Sequence, residues 1–376
     1  MKLFEYQAKE VFKKSGIEIP ESELFEKDNF KVPENVGFPC VLKSQVLRGG
    51  RGKAGLIRIV NTPEEAEKTA EELFNSEYGV NKILVEKAVD IEREIYLSIT
   101  LDPVNATALI LASAEGGVEI EELAKNSPEK IIREPVDITM GLLPFQARDL
   151  VYRMGLEGDI AKGVIKVVQN LYKAFSSYDA ELAEINPLFI TKNKEVIAGD
   201  GKLVIDDAML SAHPDYKLTR EYFESDAEYE AAMDGIPYLQ FDGDISLMCA
   251  GAGLTTTVFD LINDFGGSVA NYLEFGGPNY HRAQRAMELC LKNDSKVILV
   301  VTFGTVARAD VMANGIVNAI KELKPEMPIV TCIRGTNEEE AEKILKNAGL
   351  KPIFDTEEAV KEAIAIAKGS KEGAGK

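Results

Sequence analysis

Glycines and cations alternate in the segment Gln45–Gly55, which reads QVLRGGRGKAG. A glycine backbone can approach a ligand closely, and interspersed arginine and lysine side chains favour an anionic one. The segment is not a Walker A loop, because Lys53 is followed by alanine. A flexible hairpin tip explains these residue types equally well. Lys43, in the apolar run just upstream, shifts the balance towards a phosphate clamp, because a lysine there needs an anionic partner or a solvated position.

Two oxygen-bearing side chains lie close together further along the chain. Asn186 stands in EINPL and Asp200 in GDGKL, on what the apolar pattern predicts to be two adjacent strands. Amide and carboxylate oxygens are hard ligands that suit the Mg²⁺ carried by a nucleotide. Both residue types also occur at hairpin ends, so the magnesium interpretation depends on the glycine loop upstream.

A second glycine pattern, AGAGLTTTVFD, follows a predicted strand and begins a predicted helix. Gly251 and Gly253 match the first two glycines of a dinucleotide fingerprint, but Thr256 replaces the third. Glu274 ends the next predicted strand, where the fingerprint places its ribose-binding acid. NAD binding is therefore a weak alternative for this segment.

The elements that must position these residues differ between the two halves of the chain. In the first half, the apolar runs FPCVLKSQ and GLIRIV predict strands that enter and leave the glycine loop. Thr62, Pro63 and Glu65 have the chemistry of a helix start. Strands and helices follow without a simple βαβ rhythm, which predicts an α+β region. The acidic segment Thr219–Asp234 is interpreted as a connector with a solvated face, so the predicted domains are 1–235 and 236–376.

From residue 244 onwards, strands and helices alternate. Five apolar runs, DISLMCAGAG, GGSVANYLEF, KVILVVTFG, MPIVTCIRG and KPIFDT, predict five strands of a parallel sheet with helices on both faces. Five strands suit the flavodoxin-like order 2-1-3-4-5, in which ligands bind where strands 1 and 3 diverge. This topology brings the loops at residues 250–254 and 303–310 into one predicted site.

Composition excludes several classes of protein. The 376 residues carry a formal net charge of −19, whereas a nucleic-acid-binding protein normally presents a basic face. No apolar run is long enough to span a bilayer, and the amino terminus lacks a signal-peptide core. The four cysteines are widely separated, which fits a reducing, cytoplasmic environment, and two histidines are too few for a histidine-rich metal site.

Read together, these stretches resemble the β subunit of succinyl-CoA synthetase over essentially the whole chain. The matching segments occur in the family's order: EYQAKEVF, GGRGKAG, ILVEKAVDIEREIYL, EGGVEIE, GLEGDI, EINPL, DGKL and GAGL. The resemblance implies an amino-terminal ATP-grasp region followed by a flavodoxin-like, doubly wound ligase domain with a parallel sheet. It also implies an ADP-forming acid–thiol ligase that uses ATP, Mg²⁺ and CoA.

The resemblance assigns roles residue by residue. Residues matching the family's nucleotide contacts are Lys43, Gly50, Arg51, Gly52, Glu86, Val89 and Glu94, with Val89 acting through its backbone. Asn186 and Asp200 match the magnesium ligands, and Glu184 matches the catalytic acid that meets a phosphohistidine loop. Neither His213 nor His281 lies in a glycine-rich context, so the phosphohistidine must come from a partner α subunit. In this family that subunit also binds most of the CoA, and the chain is expected to be active only in an αβ or α2β2 complex.

The sequence departs from the family in the predicted acid site. Ala250 replaces the asparagine that binds the acyl carboxylate, and the family's GGIVRCD reads GTVARAD at Gly304–Asp310. Ala250, Thr305, Val306 and Ala307 are the expected substrate contacts. Succinate is the preferred acid because the overall match favours it. The alternatives are a ligase for another di- or tricarboxylate, similar to citryl-CoA synthetase, and a nucleotide-binding regulatory subunit without turnover.

Overall fold

The computed structural model describes residues 1–117, 120–276, 281–304 and 308–369. The chain divides into two compact units, Met1–Lys217 and Leu218–Lys376. No helix within these described ranges is long and apolar enough to cross a membrane. All four cysteines are free and buried.

The first unit contains two antiparallel sheets. Its helices are α1 (Glu5–Lys14), α2 (Pro63–Phe74), α3 (Ile120–Asn126), α4 (Pro144–Arg153) and α5 (Gly158–Ser177). Its strands are β1 (Ser22–Glu26), β2 (Cys40–Ser44), β3 (Ile57–Val60), β4 (Lys82–Lys87), β5 (Ile91–Asp102), β6 (Thr107–Ser113), β7 (Ile132–Val136), β8 (Ala180–Thr191), β9 (Val196–Ala198) and β10 (Lys202–Ile205). One sheet has the order β1-β4-β2-β3, and the other has the order β10-β8-β5-β6-β7 with β9 paired to β8.

The glycine loop connects β2 to β3, as the sequence predicts. These strands pair from Cys40 opposite Val60 to Lys43 opposite Ile57, so the loop ends are fixed by a ladder. Helix α2 packs on this sheet through one apolar face, with Ala66 and Leu73 in the core. The predicted helix start is also present, since the Thr62 hydroxyl accepts a hydrogen bond from the Glu65 N–H at 3.2 Å.

Helix α1 buries charge as well as apolar surface. Ala8, Val11 and Phe12 are fully buried on its inner face, as the amphipathic pattern predicts. Glu5 and Lys9, one helical turn apart, are buried on the same helix with exposed fractions of 4% and 1%. Buried charges at this depth require partners, which the candidate site supplies.

The second unit has one five-stranded sheet of order β11-β13-β12-β14-β15. Its strands are β11 (Tyr238–Gln240), β12 (Ile245–Ala250), β13 (Val269–Leu273), β14 (Val297–Gly304) and β15 (Ile329–Gly335). Its helices are α6 (Asp226–Met233), α7 (Ala252–Asp264), α8 (Ala283–Cys290), α9 (Ala309–Leu323), α10 (Glu338–Asn347) and α11 (Thr356–Ala367). Residues of α7 and α11 pack on one face of the sheet, and residues of α8, α9 and α10 pack on the other.

The fifth strand differs from the prediction. Strands β12 to β15 are parallel and follow the predicted 2-1-3-4 order, but KPIFDT makes only one bridge, from Pro352 to Thr331. Proline has no N–H to donate to a ladder, and Asp355 then caps α11 by accepting from the Glu358 N–H at 2.9 Å. The fifth strand of the sheet is instead β11, antiparallel to β13.

The acidic segment interpreted as a solvated connector is anchored to the second unit. Arg285 of α8 pairs with Glu230 at 2.9 Å and with Asp234 at 2.6 Å. Lys292 also pairs with Glu230, at 2.6 Å. The chain passes from the first compact unit to the second between residues 217 and 218, whereas the sequence analysis places the boundary after residue 235.

Candidate nucleotide and acid sites

A cavity of about 540 Å³ opens beside the glycine loop in the first unit. Six of the residues that the resemblance singles out line it together: Gly50, Arg51, Gly52, Glu184, Asn186 and Asp200. Six further cations and acids also line it: Lys2, Glu5, Arg48, Lys53, Glu122 and Lys202. A cationic, glycine-lined cavity of this size suits a nucleotide triphosphate tail.

The glycine loop leaves open space where side chains would otherwise project. No atom lies within 4 Å of a Cβ built on Gly49, Gly50 or Gly52. Gly50 has a φ of +70°, a conformation that glycine adopts without strain. The turn is closed by hydrogen bonds from Ala54 N–H to the Gly50 carbonyl at 3.0 Å and from Leu56 N–H to the Arg51 carbonyl at 2.9 Å. The loop thus presents backbone to the cavity without obstruction.

Arg51 joins this loop to the predicted magnesium ligand. Its Nη2 donates to both carboxylate oxygens of Asp200, at 2.8 and 3.0 Å, and its Nη1 donates to Glu5 Oε2 at 2.6 Å. Burial disfavours the charged form of Arg51, but the attraction of Glu5 and Asp200 exceeds that effect and raises its pKa. The guanidinium therefore stays charged at the mouth of the cavity.

The backbone places Asp200 beside Asn186. The N–H groups of Gly199 and Asp200 both donate to the Pro187 carbonyl, at 3.0 and 3.4 Å. Asn186 Oδ1 accepts from the Gly117 N–H at 2.9 Å. Among the described residues no group of three or more His, Cys, Asp or Glu side chains could hold a metal. An amide and a carboxylate fit an ion that keeps several waters and binds phosphate oxygens, as Mg²⁺ does with nucleotides.

Glu184 lies on the cavity wall, opposite Lys202 in the β8–β10 ladder. The Tyr96 hydroxyl donates to Glu184 Oε2 at 3.2 Å, which orients the carboxylate. Burial raises the pKa of Glu184, and the charge of Lys202 partly opposes that effect. Such a carboxylate can accept a hydrogen bond from an imidazole or exchange a proton with one.

Lys43 and Glu86 are buried beside the cavity, in a cluster of six charged residues of which Glu5, Arg51 and Asp200 line the cavity. The cluster is Glu5, Lys9, Lys43, Arg51, Glu86 and Asp200, three acids and three cations. Lys43 Nζ lies 2.7 Å from Glu86 Oε1 and 3.1 Å from Glu5 Oε1, and it donates to the Gly199 carbonyl at 2.6 Å. Lys9 pairs with Glu5 at 2.9 Å and also contacts Glu86. Neither Lys43 nor Glu86 lines the cavity.

The charges in this cluster stabilise one another. Burial disfavours charged Lys43, but the attraction of Glu5 and Glu86 outweighs burial and raises the pKa of Lys43. Burial acts to raise the pKa of Glu5, yet the surrounding cations, chiefly Lys43 and Lys9, hold it well below its usual range. The cluster ties α1, β2 and β4 to the turn before β10 through the Gly199 carbonyl.

Val89 and Glu94 lie outside the lining of the cavity as well. Val89 is half-buried in the turn between β4 and β5. Glu94, on β5, lies beside Gly117, where an added Cβ would be 2.1 Å from Glu94 Oε2. The Gly116 N–H donates to the Glu94 carbonyl at 3.0 Å. Glu94 therefore shapes the segment that holds Asn186.

Several residues of the site were missed by the sequence reasoning. Glu5 and Lys9 could have been found as an i, i+4 charged pair on the apolar face of a predicted helix. Lys202 lies two residues after Asp200, a spacing that puts side chains on one face of a strand. Burial and the charge of Lys202 lower the pKa of Lys2, which also lines the cavity.

The acid site in the second unit is described only in part. Ala250 ends β12 and pairs with Thr302 of β14, so the topology brings these strand ends together as predicted. Thr305, Val306 and Ala307 lie outside the described residues. Glu274 Oε1 accepts from the Gly251 N–H at 2.8 Å and from the Gly276 N–H at 2.7 Å. This carboxylate is engaged by the protein's own backbone, which weakens the interpretation of Glu274 as a ribose-binding acid.

His213 contacts two side chains of the first unit. Its Nε2 lies 2.9 Å from Asp179 Oδ2, and its ring stacks on Tyr178 with a centroid distance of 5.5 Å.

Comparison with known proteins identifies both regions. A family model for the ATP-grasp domain matches residues 2–190, and one for the CoA-ligase domain matches residues 248–366. The ADP-forming sulfoacetate-CoA ligase subunit SauC of Bilophila wadsworthia is 62% identical, covering 98% of this chain and 100% of the relative. Subunit SqwK of an ADP-forming sulfoacetate-CoA ligase from an Acholeplasma species is 57% identical, covering 99% and 93%.

Two further matches are more distant. The β subunit of an ADP-forming succinate–CoA ligase from Ignicoccus hospitalis is 43% identical, covering 98% of this chain and 100% of the relative. The structure of ATP citrate lyase from Methanothrix soehngenii in complex with citrate and coenzyme A has a TM-score of 0.75 at 21% identity, covering 96% and 98%. This last match shows a shared fold.

Proposed function

Because the chain belongs to the family of ADP-forming acid–CoA ligase β subunits, we propose that it is the nucleotide-binding subunit of a sulfoacetate–CoA ligase. The observation that carries the choice of acid is the identity of 62% and 57% to two sulfoacetate-CoA ligase subunits, against 43% to a succinate–CoA ligase subunit. The alternative of citrate rests on a fold match at 21% identity, and a shared fold does not indicate which substrate is used.

The departures at the acid site support an acid other than succinate. Sulfoacetate and succinate share an acyl carboxylate, but the second charged group of sulfoacetate is tetrahedral, has three oxygens and is one carbon closer. Ala250 removes a directed amide and occupies less volume than asparagine at the end of β12. Such a change alters which second group fits, while the ligase chemistry of the family is unaffected.

In the nucleotide half, the cavity would hold the ATP phosphates against the loop at Gly50–Gly52. Asn186 and Asp200 would hold Mg²⁺, which supplies charge neutralisation and fixes the phosphate oxygens for in-line transfer. In the structure Arg51 pairs with Asp200. If Asp200 binds Mg²⁺, this pair would break and the Arg51 guanidinium could contact phosphate instead. The exchange keeps both charges paired at every stage.

The nucleotide roles of Lys43, Glu86, Val89 and Glu94 rest on the family resemblance. In the structure Lys43 and Glu86 neutralise each other, so a phosphate that binds Lys43 must compete with Glu86 and Glu5. We assign Lys43 and Glu86 a positioning function, because Lys43 pairs with both Glu86 and Glu5, and Glu5 pairs with Arg51 at the cavity.

Glu184 would receive the partner's histidine. Tyr96 fixes one carboxylate oxygen, so the carboxylate can accept an imidazole N–H and orient the opposite ring nitrogen towards the γ-phosphate. Burial raises the pKa of Glu184, so a cationic or N–H partner at this position would favour the charged form of the carboxylate. The acyl phosphate and CoA steps then take place with the partner subunit.

Steady-state kinetics of the complex with its α subunit tests the proposal. ADP release is measured with sulfoacetate, succinate, malate and citrate at equal CoA, and kcat/KM is expected to be at least tenfold higher for sulfoacetate. A higher kcat/KM for succinate would refute the choice of acid and leave the ligase assignment intact. The isolated chain serves as the control and is expected to release no ADP.

A further inference from the structure

Lys202 is a cation of the nucleotide cavity that has no catalytic role in the function proposed above. It is half-buried, lies at the start of β10 and lines the cavity together with Glu184, Asn186 and Asp200. The inference that follows rests on the proposed function in one respect, because it takes ATP bound in this cavity to phosphorylate a histidine of the partner subunit.

The ladder between β8 and β10 fixes the direction of the Lys202 side chain. Lys202 is directly opposite Glu184 in this antiparallel pair, so the two side chains project from the same face of the sheet. Both residues line the cavity, so this face of the sheet forms the cavity wall. Their charges interact, because Lys202 acts to lower the pKa of Glu184 against the larger effect of burial.

Lys202 is also a near neighbour of the expected magnesium ligand Asp200, which precedes it by two residues and lines the same cavity. In an in-line transfer, the γ-phosphoryl group lies between the metal-bound phosphates and the attacking group. Asp200 would mark the metal end of this path, and Glu184 would mark the end at which the histidine arrives. A cation that neighbours both residues can reach the oxygens of the group that is transferred between them.

The Lys202 ammonium group is not engaged by the described part of the protein. Its Nζ forms no hydrogen bond and no ion pair with any residue that the structure describes. Arg51, by contrast, is bound to two carboxylates, and Lys2 donates to the Leu47 carbonyl. The two lysines also repel each other, since burial and then the charge of Lys202 lower the pKa of Lys2. All three donors of Lys202 are therefore available to an anionic ligand in the cavity.

We propose that Lys202 is a catalytic residue that binds the γ-phosphoryl oxygens while this group passes from ATP to the partner's histidine. In that step, a bond forms between one imidazole nitrogen and the γ-phosphorus, and the bond from this phosphorus to the bridging oxygen breaks. The electron pair of the broken bond leaves on the oxygen of ADP. The other imidazole nitrogen keeps its proton in a hydrogen bond to Glu184. Lys202 keeps its own protons and neutralises negative charge on the transferred oxygens.

Lys202→Met and Lys202→Gln in the complex with the α subunit test this role. The complex is mixed with Mg²⁺ and ATP labelled at the γ-phosphate, without acid or CoA, and the label on the partner subunit is followed over a single turnover. The rate should fall about 100-fold or more in both variants, because each loses a charged donor to the transition state. Lys202→Arg should recover part of the rate, because it restores the charge with a different geometry.

Nucleotide affinity separates a contact with the γ-phosphoryl group from a general role in the cavity. ADP lacks this group, so the Kd of Mg·ADP, measured by calorimetric titration of the same complexes, should stay within about threefold of wild type. The Kd of a non-hydrolysable ATP analogue should rise about tenfold, because the analogue keeps the oxygens that Lys202 would bind. An equal loss of affinity for ADP and the analogue would overturn the proposal.

Three comparisons make the result specific to Lys202. Lys192→Met removes an exposed lysine of the same unit, paired with Asp90 at 2.7 Å, and should leave the transfer rate unchanged. Lys2→Met removes another cation from the cavity, and a rate as low as that of Lys202→Met would show that only total charge matters. Lys202→Met should also slow transfer further in the Glu184→Gln complex. No further slowing there would show that Lys202 acts only through Glu184, and either result would overturn the proposal.

The failure of this inference can be told apart from the failure of the proposed function. Transfer is measured without acid, so a preference of wild type for succinate would refute the choice of acid and leave the role of Lys202 intact. Absence of label on the partner subunit in wild type would refute the proposed function and this role together. Label in wild type with an unchanged rate in Lys202→Met would refute the role of Lys202 alone.

Discussion

Replacing Lys43 by methionine tests the cluster of six charged residues around Glu5. The change keeps the aliphatic volume and leaves three acids opposed by two cations, so one buried negative charge loses its partner. Lys43 is buried, with an exposed fraction of 6%, and contacts both Glu5 and Glu86. Removing one partner of a buried ion pair typically costs about 3–5 kcal/mol. For a unit of this size that corresponds to a fall in Tm of about 6–20 °C.

The loss of stability in Lys43→Met should depend on pH in a defined direction. The folded pKa of Glu5 is depressed, so its charge contributes stability above the unfolded pKa of about 4.3, and that stability is lost as pH falls through the folded value. Lys43 exerts the largest attraction on Glu5. The stability difference between wild type and Lys43→Met should therefore be widest near neutral pH and narrow below about pH 4.

Scanning calorimetry of the full chain measures the change. Lys87→Met is the matched control, because Lys87 lies on β4 next to Glu86, is 55% exposed and pairs with exposed Glu21. Its cost should be below about 1 kcal/mol. The double variant Lys43→Met/Glu86→Gln restores the charge balance and should be less destabilised than the two single changes added together. A Tm of Lys43→Met equal to that of the control, or strict additivity in the double variant, would refute the reasoning.

Asp200→Asn should weaken Mg-dependent ATP binding at least tenfold, as measured by calorimetric titration. If wild type and variant bind ATP with equal affinity in the presence of Mg²⁺, Asp200 is not part of the metal site. Glu184→Gln should leave ATP affinity unchanged but slow phosphorylation of the partner's histidine about 100-fold or more. The rate is measured from the acid-labile label on the partner subunit, and an unchanged rate would exclude a catalytic role for Glu184. Gly117 has a φ of +71°, and an added Cβ would lie 2.1 Å from Glu94 Oε2, so Gly117→Ala should displace the Gly117–Asn186 contact and raise KM for ATP. Gly79→Ala is the control, because Gly79 has a similar φ of +62° but no atom within 4 Å of an added Cβ, and it should leave KM for ATP unchanged. Equal KM values for the two variants would contradict this prediction.

Local patterns predicted the elements that carry the loops. The apolar runs around the glycine loop give β2 and β3, and Thr62 with Glu65 gives the start of α2, because these signals lie within a few residues of the structure they specify. The alternation of strands and helices after residue 244 predicted the parallel order of β12 to β15. The run KPIFDT was misassigned because an apolar run does not reveal whether a neighbouring strand can donate and accept along its length.

Charge pairs between residues far apart in the chain could not be predicted from the sequence. Lys43 lies 38 residues from Glu5, and Lys9 lies 77 residues from Glu86, so no local spacing connects them. The same reason applies to helix α6, because Glu230 in the helix and Asp234 just after it pair with Arg285 of α8, which lies 55 and 51 residues away from them. The sequence singled out the glycines and the expected metal ligands Asn186 and Asp200 because these residues sit in short motifs.

A competition experiment tests the choice of acid most directly. The complex with its α subunit is given ATP, Mg²⁺, CoA and equal concentrations of sulfoacetate and succinate, and the acyl-CoA products are separated and identified by mass spectrometry during the linear phase. Sulfoacetyl-CoA should exceed succinyl-CoA at least tenfold, because the product ratio reports the ratio of the two kcat/KM values. A mixture dominated by succinyl-CoA would contradict the account.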